Sequence, residues 1–116
     1  MMTLPALVRA NGEKLMIQRK RRADEVVRVG VIGDFNPAYH SHFATNAAIY
    51  DAAVKLKVAV HLRWIPTPSL AGDGARKTLK RWDGLVASPG SPYESFEGML
   101  NGIAFARKGD WPFVGT

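Results

Sequence analysis

The sequence predicts an α/β protein built on a parallel sheet. Two observations carry that expectation. From residue 26 onward, short apolar runs rich in β-branched residues alternate with segments whose apolar residues recur at helical spacing, and each run is closed by Gly or Pro. The whole chain is 116 residues long, which suits one small domain.

The elements follow in order. Val26-Val27-Arg28-Val29-Gly30-Val31-Ile32, closed by Gly33-Asp34, reads as a strand buried on both faces. Phe35 to Phe43, with Asn36-Pro37 and two histidines, reads as a loop. From Ala44 to Lys57 the residues Ile49, Ala52, Ala53 and Leu56 fall at i, i+3, i+4 and i+7, which predicts a helix with that stripe toward the sheet. Val58 to Ile65 reads as a second strand, stopped by Pro66 and Pro68. Ser69 to Asp83 contains the turn Gly72-Asp73-Gly74 and a short helix on which Ala75, Leu79 and Trp82 share a face. Gly84 to Ser88 is a third strand, ended by Pro89-Gly90. Phe96, Met99, Leu100, Ile103 and Ala104 predict an amphipathic helix that stops at Gly109, and Pro112 to Thr116 predicts a fourth strand. The simplest assembly is a flavodoxin-like parallel sheet in the order 2-1-3-4 with right-handed crossovers and flanking helices, truncated after the fourth strand. Ligands in such sheets bind outside the carboxyl ends of the strands, at the loops starting at Gly33, Pro66 and Pro89 and whatever follows Thr116.

Composition excludes several classes. With 47% hydrophobic and 22% charged residues the chain is globular in character, and no apolar run approaches the length of a membrane span. The net charge is +6, and residues 1–25 hold six of the 16 basic residues, among them the run Arg19-Lys20-Arg21-Arg22. That stretch, without sustained periodicity, is expected to be a basic, disordered extension outside the domain formed by residues 26–116; it reads either as a solvated tail or as a contact for an anionic surface. The other charges are scattered, unlike the groove-facing cluster of a DNA-binding domain, so a nucleic-acid partner is not expected. No cysteine is present, which removes disulfides and thiolate metal sites and points to the cytoplasm; no export signal is visible.

The run Val29-Gly30-Val31-Ile32-Gly33, then Trp82-Asp83-Gly84-Leu85-Val86-Ala87-Ser88-Pro89-Gly90, Phe96-Glu97-Gly98-Met99, Ala104-Phe105-Ala106-Arg107 and Pro112-Phe113-Val114-Gly115 resembles, in order and spacing, the first half of class I glutamine amidotransferase domains. The likeness is strongest to the CTP synthase amidotransferase domain and to short relatives, the CTP synthase C-terminal region-related (seleno)proteins. The resemblance implies hydrolysis of a glutamine amide with transfer of ammonia, in pyrimidine nucleotide biosynthesis. In that family a P-F-(L/V)-G-(I/T) strand leads into a G-x-C-x-G elbow, where helix N-terminal amides lower the pKa of the nucleophilic thiol. Gly115 and Thr116 align with the two residues before that nucleophile, and no catalytic residue of the family is present in the chain. The expectation is that the next codon is UGA, read as selenocysteine; a lineage-specific truncation, a frameshift and a cut piece are the alternatives.

By the same resemblance, Pro89-Gly90-Ser91-Pro92 matches the family's P-G-G-F oxyanion loop, which makes Gly90 and Ser91 the substrate-binding residues, with Ser91 and Pro92 departing from the pattern. Pro-Gly-Ser-Pro is also an ordinary turn. Glu97 matches an E-G pair and is expected to support that loop, while Glu94 and Glu97 both suit the positive end of the helix that follows. His40 and His42 form an H-x-H pair that permits two metal ligands, but there is no third ligand, and Asp34 is equally an Asx-turn residue; no metal is expected. His61 reads as structural, and Trp64, Trp82 and Trp111 as packing or capping residues. No G-x-G-x-x-G or P-loop motif follows a strand, so no cofactor is expected. The expected partners are glutamine or a related amide, a synthetase domain or subunit, and a second copy of the chain. A non-catalytic binding or assembly module on the same fold is the competing expectation.

Overall fold

The computed structural model describes residues 6–7, 16–17, 26–90 and 92–115. In chain order its elements are strands β1 (Ala6–Leu7), β2 (Met16–Ile17) and β3 (Val26–Ile32), helix α1 (His40–Leu56), strand β4 (Ala59–Ile65), a 3-10 turn (Thr67–Leu70), helix α2 (Ala75–Leu79), strand β5 (Gly84–Ala87), helix α3 (Phe96–Gly109) and strand β6 (Phe113–Gly115). The main sheet has four parallel strands in the order β4-β3-β5-β6, which is the predicted 2-1-3-4 layout. Within the stretch expected to be a disordered extension, the described residues form a separate antiparallel pair, Ala6 against Ile17 and Leu7 against Met16; the other residues of that stretch lie outside the described ones.

Alternation along the strands sorts the two faces. Ile32, Ile65, Leu85 and Ala87 point to one face, where Leu70 of the 3-10 turn, Ala75 and Leu79 of α2 and Met99 of α3 close over them to form the core. Trp82, Tyr93, Phe105, Trp111 and Phe113 seal its margin. The opposite face receives α1, with the Trp64 indole N–H donating to Asn46 Oδ1 at 2.7 Å. At the amino-terminal end of the sheet, the Arg28 N–H donates to Asp83 Oδ2 (2.7 Å) and the Asp83 N–H donates back to the Arg28 carbonyl (2.8 Å), which holds the entry of β5 against β3. No helix among the described residues is long and apolar enough to cross a membrane.

In both long helices the buried side is shifted from the expected stripe, keeping Ile49 and Ala53 in α1 and Met99 and Ile103 in α3. Helix α1 begins at His40 rather than Ala44, so the pair of histidines lies on the helix and not in a loop. The cause is Asn36: its Oδ1 accepts from the Ala38 N–H (2.9 Å) and its carbonyl from the Tyr39 N–H (3.0 Å), a turn that launches the helix directly. The buried side then runs through His42 and Ala53 with Ile49 half-buried, whereas Leu56 of the expected stripe is 71% exposed.

In α3 the buried residues are Gly98, Met99, Gly102 and Ala106, while Phe96 and Leu100, expected in the core, are exposed. Small residues at i, i+4 and i+8 let the helix axis come close to the sheet. A Cβ on Gly102 would lie 2.5 Å from Ile32 Cδ1, and one on Gly98 would overlap the Thr67 carbonyl oxygen. The count of large apolar residues located the helix and two of its core contacts, Met99 and Ile103, but close approach turned the glycines Gly98 and Gly102 inward in place of Phe96 and Leu100. The helix ends at Gly109 as expected, closed by Asp110 in the left-handed region (φ 55°) with its N–H on the Ala106 carbonyl.

Candidate active site

The carboxyl ends of the strands gather three loops. Gly33 and Ser88 each extend the sheet ladder by one bond, Gly33 N–H to the Ile65 carbonyl and Ser88 N–H to the Ile32 carbonyl, both at 3.0 Å. The two loops then touch: a Cβ on Gly33 would overlap Ser88 Oγ and lie 2.7 Å from Ser88 Cβ, so only glycine allows the β5 loop to sit this close to the β3 loop. Ser88 is buried, and its carbonyl accepts the Tyr93 hydroxyl at 2.8 Å, which fixes the return of the chain toward α3.

Asp34 joins all of this together. Its Oδ1 accepts the Thr67 N–H (2.8 Å), and its Oδ2 accepts both the Thr67 hydroxyl (2.8 Å) and the Glu94 N–H (2.9 Å). Thr67, itself fully buried, accepts at Oγ1 from the Ser95 N–H at 2.8 Å, and Ser95 Oγ in turn caps α3 by accepting the Gly98 N–H at 3.0 Å. One carboxylate thus connects the ends of β3 and β4 and the start of α3. The expectation that Asp34 makes an Asx turn is corrected: the Asx turn belongs to Asn36, and Asp34 reaches across to two other loops. Glu94 precedes the N-cap Ser95 rather than sitting in the first turn, and it contributes its backbone N–H.

Between these loops lies a small, open concavity of about 20 Å³, lined by Asp34, Tyr39 and His42 together with Ser88, Pro89 and Gly90. Gly90 has φ +91°, a conformation that favours glycine, and nothing lies within 4 Å of where its Cβ would be. Its glycine is therefore demanded by the backbone path of the loop and not by space. Gly90 is exposed, and among the described residues no acceptor engages its N–H, so solvent meets that donor unless a guest displaces it. Ser91 and Thr116 lie outside the described residues. Gly115 ends β6 in register with Ala87, one residue before Ser88, so β6 runs out beside the Gly90 loop. Glu97 is exposed in the first turn of α3, at the positive end of the helix.

The histidines separate. His40 is exposed, whereas His42 is 4% exposed and turns Nδ1 to accept the Asn36 N–H at 2.9 Å. His61 is exposed and stacks on Trp82 with ring centroids 5.9 Å apart. The tryptophans pack and cap: Trp111 donates to the Trp82 carbonyl at 2.8 Å, and Trp82 lies under the Arg28 guanidinium at 5.3 Å. No group of three or more metal-ligating side chains occurs among the described residues. Sequence reasoning missed the Asp34–Thr67 junction and the burial of His42. The available signals were an Asp directly after a strand-ending Gly and an Asn-Pro pair three residues before a helix could begin.

No family model matches the chain. Curated relatives do. A CTP synthase of Sulfurisphaera tokodaii is 31% identical over 100 residues, covering 85% of this chain and 19% of that protein. CTP synthases of Sulfolobus acidocaldarius and Pyrococcus furiosus are each 28% identical over 100 residues, covering 85% and 86% of this chain. The chain thus spans about a fifth of the length of the curated relatives it matches. Among solved structures, the glutaminase domain of Trypanosoma brucei CTPS with bound acivicin superposes with a TM-score of 0.68 at 22% identity, covering 77% of this chain and 35% of that one. That likeness establishes the α/β flavodoxin-like fold.

Proposed function

The chain belongs to the class I glutamine amidotransferase-like domains of the CTP synthase type, and from that premise we propose that its strand-end concavity is the oxyanion side of a glutamine site. The observation that carries this reading is Gly90: a positive-φ glycine on the loop after β5, its N–H without an acceptor among the described residues, next to the end of β6. In the proposed chemistry, a nucleophile adds to the carboxamide carbon of glutamine and the carbonyl oxygen becomes an oxyanion. The Gly90 and Ser91 N–H groups hold that oxygen, ammonia leaves once protonated, and water releases glutamate. Preorganised donors of this kind each lower the barrier by about 3–4 kcal/mol. Ammonia released in this way serves pyrimidine nucleotide synthesis in a synthetase domain or subunit.

The sequence has no cysteine, so the attacking thiol or selenol is not among its 116 residues. We place it directly after Thr116, as cysteine or as selenocysteine encoded by UGA. In support, the register of β6 on β5 brings that end of the strand beside the Gly90 loop. The test compares ammonia release from glutamine by the 116-residue chain and by the chain extended through its natural downstream frame. None is expected from the first, and turnover is expected from the second. Hydrolysis by the shorter chain would contradict the reading. An extended chain that binds glutamine without turning it over would favour the second reading, a binding module on the same fold, which Ser91 and Pro92 in place of the family's Gly and Phe support.

Gly90→Ala supplies a check on the loop itself. Forcing an alanine to φ +91° costs about 1–3 kcal/mol, and relief of that strain swings the N–H away from the concavity. Glutamine binding, followed by calorimetry, is expected to weaken about tenfold, in line with one lost hydrogen bond, while urea unfolding shows a modest loss of stability.

A further inference from the structure

We infer that His42 is a substrate-binding residue whose Nε2–H donates a hydrogen bond to the carbonyl oxygen of an uncharged carboxamide in the concavity. This rests on the glutamine reading and deepens it. His42 is 4% exposed and is one of the residues that line the concavity with Gly90. Its Nδ1 accepts the Asn36 N–H at 2.9 Å, which leaves Nδ1 without a proton and places the single proton of the neutral ring on Nε2. Among the described residues no oxygen or nitrogen accepts from Nε2. The ring is gripped instead by aromatic neighbours, Trp64 at 4.6 Å, Tyr39 at 5.1 Å and Phe35 at 5.8 Å between centroids, which set its orientation. Buried donors are rarely left without an acceptor in folded proteins, and one that lines a concavity points to a guest.

The class of guest follows from the charges. His42 sits in the first turn of the 17-residue helix α1, whose positive end suits an acceptor oxygen. The Asp34 carboxylate lines the same concavity, takes three hydrogen bonds and has no cationic partner among the described residues. Its charge repels an anionic guest. A neutral carbonyl satisfies both walls, and a carboxylate does not. Glutamine is therefore preferred over glutamate at this position.

The experiment is imidazole ¹⁵N NMR and calorimetry on the whole chain with glutamine and with glutamate, in the wild type and in two variants. His42→Asn keeps an oxygen close to the Nδ1 position, able to accept from Asn36, and removes the distal donor. His42→Gln reaches the Nε2 position with an N–H. The Nε2 resonance of the wild type is expected to move with glutamine and not with glutamate. His42→Asn is expected to lose about tenfold in glutamine affinity and His42→Gln to stay within about threefold. An Nε2 signal that stays still while the Gly90 amide responds, or a folded His42→Asn chain with wild-type affinity, overturns the role of His42 and leaves the glutamine site standing. Glutamate bound as tightly as glutamine overturns the carboxamide class. Silence of every amide toward glutamine overturns both readings. The wild-type spectra decide the matter even where a variant fails to fold.

Discussion

Alanine in place of Asp34 is expected to lower the unfolding free energy by about 3–5 kcal/mol, because two buried donors of Thr67 and the Glu94 N–H lose their acceptor together. Thr67 is fully buried, so water cannot replace the lost bonds without opening the junction. Asp34→Asn is expected to fall between the two. It retains an oxygen for the Thr67 N–H, but its amide nitrogen meets the Glu94 N–H, which it cannot accept. Urea unfolding of the three proteins gives the order directly. An Asn variant as stable as the wild type would mean that the charge of Asp34 contributes nothing to the junction. The same substitutions are expected to weaken ligand binding, since Asp34 fixes the relative positions of three loops around the concavity.

The second large effect is expected at Gly98. An alanine there would drive its methyl group into the Thr67 carbonyl, with the carbonyl carbon only 2.7 Å away. Backbone cannot swing aside as a side-chain tip can, so α3 must shift and its Ser95 cap with it; the expected loss is about 3 kcal/mol, at the upper end for overpacking. Gly102→Ala is the control. Its obstacle is the flexible end of Ile32, at 2.5 Å, and alanine favours a helix over glycine by about 1 kcal/mol, so the net change is expected to be small. Thermal unfolding that places the two variants at equal stability would refute the distinction between backbone and side-chain obstacles.

Strand positions and their order were legible because a parallel sheet writes itself in continuous β-branched runs, and Val26–Ile32 needs no partner to declare itself. The helices were legible as helices, and their orientation only in part. Periodicity weights bulk: in α3 it found Met99 and Ile103, which pack on the core, but not Gly98 and Gly102, whose lack of a side chain permits the close approach. In α1 the contact includes a histidine, whose burial depends on Asn36 supplying a hydrogen bond from six residues away. Of the site, the Gly90 loop was visible from Pro-Gly after a strand together with the family likeness. The Asp34 junction was not, because its partners lie 33 and 60 residues further along the chain and no local pattern marks them.

Those separations bear on the order of events during folding. Nothing near Asp34 in sequence can satisfy its carboxylate; Thr67 reaches it only after the crossover through α1 has placed β4 beside β3, and Glu94 only after β5 has docked on the other side. Each closure of a long loop must be made before the junction returns any stabilisation. The junction around the concavity is therefore expected to form no earlier than the pairing of β3 with β4 and β5, which Asp34→Ala would show by speeding unfolding more than it slows folding.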